Sequence, residues 1–374
     1  MNVKIPRPVP LTEEEIPVGE EHETAADKRS HLPLTHPQLP RWAPALVMLL
    51  AAVASGLLAL SLGWGLVAWA VVAVVLFLVA LPFWARSVEG GRSAKDRLVT
   101  GLVWSAFALA LVPLVSLVWE VLSNGLGALD REFLTYSMRN IVGEGGGIYH
   151  AIIGTLLVTA AAAVISIPIG LMTAIYLVEY GGTSRLARAI TFLVDVMTGI
   201  PSIVAGLFAY ALFVLFFGEG IRFGFGGAIA LSLLMIPIVV RSGEEMLRLV
   251  PHDLREASYA LGVPKWRTIV KVVLPTALGG IITGVTLAVA RVAGETAPLL
   301  IIAGSTDSLN RNLFDERMMT LPVFIYYSYT QPGVPAEFGQ QRAWGAALVL
   351  IAIVMALNLI ARAVGRRYAP KTRH

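Results

Sequence analysis

Long apolar stretches separated by short polar ones set the pattern of this chain. Nearly uninterrupted apolar runs fall at about 43–62, 64–84, 98–122, 151–177, 189–217, 226–243, 276–303 and 343–364. Each is long enough to cross a hydrocarbon core of ~30 Å at ~1.5 Å per residue. A segment in lipid must satisfy its own backbone polar groups, so the pattern predicts helices throughout. The break at Ser61–Gly65 is short, and the first two runs are expected to form a tight hairpin. The alternative there is one apolar region that enters the membrane and returns without spanning it. Residues 1–40, with Pro6, Pro8, Pro10 and the acidic Glu13, Glu14 and Glu15, show no amphipathic period and read as a disordered tail.

Composition agrees with this class. Of 374 residues, 56% are hydrophobic and only 14% charged, which excludes an ordinary soluble domain. The net charge of +4 includes no clustered basic face, so no nucleic-acid partner is expected. There is no cysteine, hence no disulfide and no thiolate metal site. About 40 polar residues precede the first apolar run, which does not fit a signal peptide.

Lysine and arginine in the short loops set the expected orientation. The segments 85–97, 178–189, 251–275 and the C-terminal side carry the densest basic clusters. In an eight-span arrangement all four lie on the side of the N-terminal tail. That side is expected to be cytoplasmic, with both termini on it, in a multi-pass plasma-membrane protein contacting lipid. The loop 304–342, with Tyr326, Tyr327, Tyr329 and Phe338, reads as an interfacial aromatic belt with a short amphipathic segment. Its other reading is a docking surface for an external partner.

The segment 251–275 is charged, contains a turn, and is wedged between two spans. Pro251, Asp253 and Glu256 suit the start of a short helix. Gly262 suits its left-handed end, and Pro264 opens a second helix carrying Lys265, Arg267 and Lys271. Leu274-Pro275 is then expected to launch the next span. The plain reading is an amphipathic loop on lipid headgroups. The other is a socket on which a separate protein pushes.

Two pairs of charges fall inside or beside spans. Arg291 lies about halfway along 276–303, where an ionised side chain is costly, and Glu295 is expected on the same helical face one turn later. Pro298 leaves the carbonyl of Gly294 without its usual bond. With Thr296, this places a cation, an anion and loosened backbone in mid-membrane. The pair is either a structural salt bridge or a polar filter on a translocation path. Arg241 and Glu244 form a similar pair at the inner end of the preceding span. Arginine suits an oxyanion, because its planar fork donates two parallel hydrogen bonds, but it does not select phosphate over sulfate.

The order Glu256-Ala257-Ser258, Gly262, Val272, Leu274-Pro275 resembles the EAA loop of ABC importer permeases, with serine as the third residue of the triplet. The stretches 165–170, 176–181, 199–207, 241–247 and 291–300 (Arg-Val-Ala-Gly-Glu-Thr-Ala-Pro-Leu-Leu) resemble the phosphate-permease family of the PstA type. The resemblance covers roughly 98–364 and implies a six-helix type I importer core with a coupling loop at 244–275. It leaves 41–97 as an extra two-helix hairpin with its linker, and 1–40 and 365–374 as cytoplasmic tails. It implies that Glu256, Ala257, Ala260 and Gly262 meet an ATPase, and that Arg241, Glu244, Arg291, Glu295 and Thr296 line the path. The implied partners are a second homologous permease, two copies of an ATP-binding subunit and an external phosphate-binding protein.

This chain carries no G-x-x-x-x-G-K-[ST] loop, so ATP and Mg are expected on the ATPase and no cofactor on the chain itself. The rival readings are a permease for another oxyanion or small solute, an intramembrane enzyme and a passive channel. The enzyme would need a nucleophile with a base, or metal ligands. No H-E-x-x-H or G-x-S-x-G occurs. A passive channel would not need the glycine-turn socket.

Overall fold

The computed structural model describes residues 38–368. The tail expected at 1–40 lies, except for its last three residues, outside the described residues, as do residues 369–374. The described residues form helices and connecting loops without a β-strand. The chain divides into two compact units at Leu114/Val115.

In the first unit, α1 (Ala43–Leu62) and α2 (Leu66–Val88) pack as the expected hairpin. Apolar helices gain little by leaving lipid for each other, so polar bonds and close packing decide how such a pair meets. The Trp69 indole donates to the Ala52 carbonyl at 2.9 Å, and the Ser55 hydroxyl donates to the Trp69 carbonyl at 2.6 Å. Glu89 closes the base of the hairpin. It accepts from Arg97 at 3.0 and 3.3 Å and from the Leu39 amide at 2.6 Å. The long α3 (Gly91–Gly125) starts here, earlier than its apolar run at 98, because its first turns carry the charged residues Arg92, Lys95, Asp96 and Arg97.

The second unit is built on the crossing of α5 (Tyr149–Ile175) with α8 (Gly224–Arg248), after a short α4 (Arg131–Thr135). Small residues make the crossing close. Ser166 donates to the Ser232 carbonyl at 3.4 Å, and Gly243 meets Ala174. Helix α8 is the buried centre, with Leu231, Met235, Val240 and Leu247 fully enclosed. It also packs on α11 (Leu274–Ala293), which in turn packs on the last helix, Ala336–Tyr368.

Two expected spans are broken. The run 189–217 divides into α6 (Arg185–Thr198) and α7 (Ser202–Phe217), bent by 110°. Gly199 and Pro201 lie at the bend, where proline cannot donate to the preceding turn. The run 276–303 divides into α11 and a short α12 (Ala297–Ile302). Glycine at 294 and proline at 298 account for that break. Among the described residues, seven helices are long and apolar enough to cross a membrane, with an eighth crossing if the bent pair counts as one.

Candidate functional site

The segment after α8 folds as two helical arms. The first, α9 (His252–Ala260), ends at Gly262, whose φ is +75°. The Gly262 amide donates to the Tyr259 carbonyl at 2.9 Å, and the Val263 amide to the Ser258 carbonyl at 3.2 Å. These two bonds make a Schellman end, in which carbonyls of the last turn find donors beyond the helix. Pro264 then caps the second arm, α10 (Lys265–Thr268). This arm does not pause at Leu274-Pro275. It continues through a π turn at Ile269–Val273 into α11, so the span begins at Lys265, well before the apolar run expected from 276. The Ser258 and Thr268 hydroxyls share a buried hydrogen bond of 2.8 Å and hold the arms together.

Glu256, Ala257, Ala260 and Gly262 are all exposed on this knob. Leu261, 83% exposed, and Trp266, 57% exposed, add apolar surface at its tip. A polar helix hairpin with small residues and several bare apolar side chains is suited to seat in another protein.

The knob is anchored underneath by residues that sequence reading did not pair. Arg255 donates twice to Glu179 Oε1, at 2.8 and 3.1 Å, and to the carbonyls of Val250 and Leu247 at 2.6 and 2.9 Å. The two charged side chains are 9% and 5% exposed. Lys265 donates to the Glu179 carbonyl, and its ammonium lies 5.0 Å from the centroid of the Tyr180 ring. Glu179 sits in a π turn, Tyr176–Tyr180, that prolongs α5.

Arg241 and Glu244 do pair, at 2.7 Å. The structure adds two members to this cluster. Arg241 also bonds Asp195 of α6, and Arg248 reaches the other oxygen of the buried Glu244 at 3.3 Å. Arg241 is therefore compensated by two carboxylates.

Arg291 and Glu295 do not pair as expected. The helix ends at Ala293, so Glu295 lies in the unwound link and not one turn further along the same face. Arg291 is exposed and Glu295 half-buried, and no ion pair or side-chain hydrogen bond joins them to any described residue. Thr296 caps α12 without a side-chain hydrogen bond. The two helix breaks meet. Helix α12 packs on α7, and a Cβ added to Gly206 would lie 2.6 Å from the Pro298 Cα. Beyond α12, a polar cavity of about 420 Å³ is lined by Ser305, Thr306, Asp307, Tyr327, Gln331 and Arg342 among others. Arg342 donates to the carbonyls of Gly143 and Gly145.

Broken apolar helices around a buried central helix, with a clamped knob on the loop leaving it, define a helical membrane permease. Residues 166–374 match the family described as binding-protein-dependent transport system inner membrane component. The phosphate transport system permease protein PstA 1 of Mycobacterium tuberculosis is 49% identical over 283 residues, 75% of this chain and 91% of that protein. The PstA of Yersinia pestis is 39% identical over 280 residues, 75% of this chain and 92% of that protein. A bacterial alginate ABC transporter, solved with a pentasaccharide-bound periplasmic protein, shares the fold. Its TM-score is 0.54 at 12% identity, over 73% of this chain and 95% of that chain. The chain belongs to the binding-protein-dependent transport system inner membrane components, and within them to the PstA permeases.

Proposed function

We propose that this chain is the membrane permease subunit of an ATP-driven phosphate importer. It forms half of the translocation path and is moved by a separate ATPase. The observation that carries the reading is the match to PstA permeases along nearly their whole length. The exposed knob around Gly262 gives the ATPase its seat. Two ATP-binding subunits, holding ATP and Mg, serve this chain and a second homologous permease, and an external phosphate-binding protein delivers the substrate. Both termini and the knob lie in the cytoplasm, with the bent pair α6–α7 counted as one crossing. The domain limits follow from that arrangement: an added hairpin at 41–97 ahead of a six-crossing core at 98–364.

Arg291 is the first contact for the anion. An exposed guanidinium within a span is costly against lipid. A second permease chain facing it across a polar path would give it water and an oxyanion, and no internal carboxylate has to be displaced first. Glu295, Thr296, Arg241 and Glu244 continue the path.

The test is uptake per assembled complex in reconstituted vesicles, with phosphate and sulfate compared. Phosphate, not sulfate, should be imported. Arg291→Ala should lose most of the uptake while the complex still assembles. Arg291→Lys should recover part of it, because an ammonium lacks the planar fork. Normal uptake in Arg291→Ala would remove Arg291 from the path. Import of sulfate in place of phosphate would select the rival oxyanion reading.

A further inference from the structure

We propose that Glu179 and Arg255 form the link that delivers the motion of the knob to three spans at once. The inference rests on the reading of the knob as an ATPase seat. The second arm of the knob is continuous with α11 through the π turn, so α11 moves with it by covalent connection. The first arm reaches the other two spans through Arg255. Its guanidinium bonds the carboxylate of Glu179 at the end of α5. It also bonds the carbonyls of Leu247 and Val250, at and just beyond the end of α8, where a cation suits the helix dipole. Lys265 of the second arm also donates to the backbone carbonyl of Glu179.

The placement is more specific than packing requires. The pair is almost fully enclosed, and burying two charges is weak evidence of added stability. Its bonds instead have direction and length, which apolar contacts between lipid-bathed helices lack. Both neighbouring helical segments depart from α geometry here, with π turns at Tyr176–Tyr180 and Ile269–Val273. Single π turns recur at functional positions in helices. The one at 176–180 carries the carboxylate, and the one at 269–273 follows the hydroxyl clasp of Thr268.

The experiment uses the complete complex, permeases, ATPase and binding protein, reconstituted in vesicles. Phosphate imported and ATP hydrolysed are measured together. Glu179→Gln keeps the shape and one acceptor oxygen, while Arg255 keeps its two carbonyl partners. Assembly and phosphate-stimulated ATP hydrolysis should persist, and phosphate moved per ATP should fall about tenfold, a loss typical of coupling between sites. Arg255→Lys keeps the charge without the fork and should lie between that variant and wild type. A purely structural pair would lower assembled yield and leave the ratio unchanged. An unchanged ratio in both variants, or failure of both to assemble, overturns the proposal. If the unaltered chain holds no ATPase subunit, the seat reading itself fails, which assembly of the unaltered complex shows separately.

Discussion

The turn at Gly262 can be tested apart from the surface it presents. Gly262 has φ +75°, and a Cβ added to it would meet nothing within 4 Å. An alanine there therefore costs conformation and not space. The left-handed region disfavours a residue with Cβ by about 1–2 kcal/mol. Asparagine tolerates the same region, because its side chain bonds the local backbone. At about 1.4 kcal/mol per tenfold, Gly262→Ala should shift the closed turn toward open forms by roughly one order of magnitude. The two bonds at stake are those donated by the Gly262 and Val263 amides. Hydrogen exchange at those amides in the purified chain should speed up by about tenfold in Gly262→Ala and much less in Gly262→Asn. ATPase capture by the same variants should follow the same order. If alanine and asparagine protect the two amides equally, the left-handed backbone is not what the glycine supplies. If both weaken capture equally, the ATPase is excluding any side chain at that point.

Two further outcomes follow from close geometry. Gly206→Ala must push α7 from α12, because the added Cβ meets the Pro298 backbone and not a flexible side chain. It should cost about 1–3 kcal/mol, seen as a lower melting temperature in detergent, whereas Gly127→Ala, with open space around it, should not change the melt. The Glu89 carboxyl is held below the ordinary carboxylate range, chiefly by hydrogen bonds from Arg97 and also by the Leu39 amide. Its contribution is thus complete above the unfolded value of about 4.3 and is lost as pH falls through the lower folded value. Exchange at the Leu39 amide should be slower in wild type than in Glu89→Gln at neutral pH, and the two should converge in acid. A constant gap across that range would refute the assignment.

The spans were legible because lipid imposes one pattern on every helix that crosses it. The left-handed end at Gly262 and the opening at Pro264 were legible too, because each follows from the backbone of one residue. What the sequence hid falls into two kinds. The first is helix breaks inside apolar runs. Hydropathy sees 189–217 and 276–303 as continuous, and only Gly199-Ile200-Pro201 and Gly294 with Pro298 mark where the backbone turns. The pair at Arg291 and Glu295 failed for this reason. A spacing of four places two residues on one face only while the helix persists, and it ends at Ala293. The second kind is long-range charge pairing. Arg255 and Glu179 are 76 positions apart, and Arg241 and Asp195 are 46 apart. Nothing local in either segment names the other. The unexplained acid in the 176–181 stretch was the available signal, because Glu179 sits where a span should be ending in basic residues.

The two charge networks divide the work along α8. At and just beyond its C-terminal end the Leu247 and Val250 carbonyls receive Arg255, and Glu244 holds Arg241 and Arg248. Arg241 in turn reaches Asp195 and so ties α6 to α8. Arg241 spends two of its five N–H donors on carboxylates, so a phosphate could bond it alongside them or replace one. Glu244 is buried and shared with Arg248, whereas the Asp195 side chain is 61% exposed and can rehydrate when released. An anion that displaced a carboxylate at Arg241 would therefore take the place of Asp195 and remove the ion pair between α6 and α8, leaving the Glu244 bonds intact. The arginine at 291 has no such bond to exchange. The two arginines of the proposed path thus differ in what an arriving anion would compete with. On the proposed path, an anion would compete with no internal carboxylate at Arg291, and at Arg241 it would compete with the exposed Asp195 and so weaken the tie of α6 to α8. Binding that displaced Asp195 at the second arginine would then be felt in the tie between α6 and α8, while binding at the first would not.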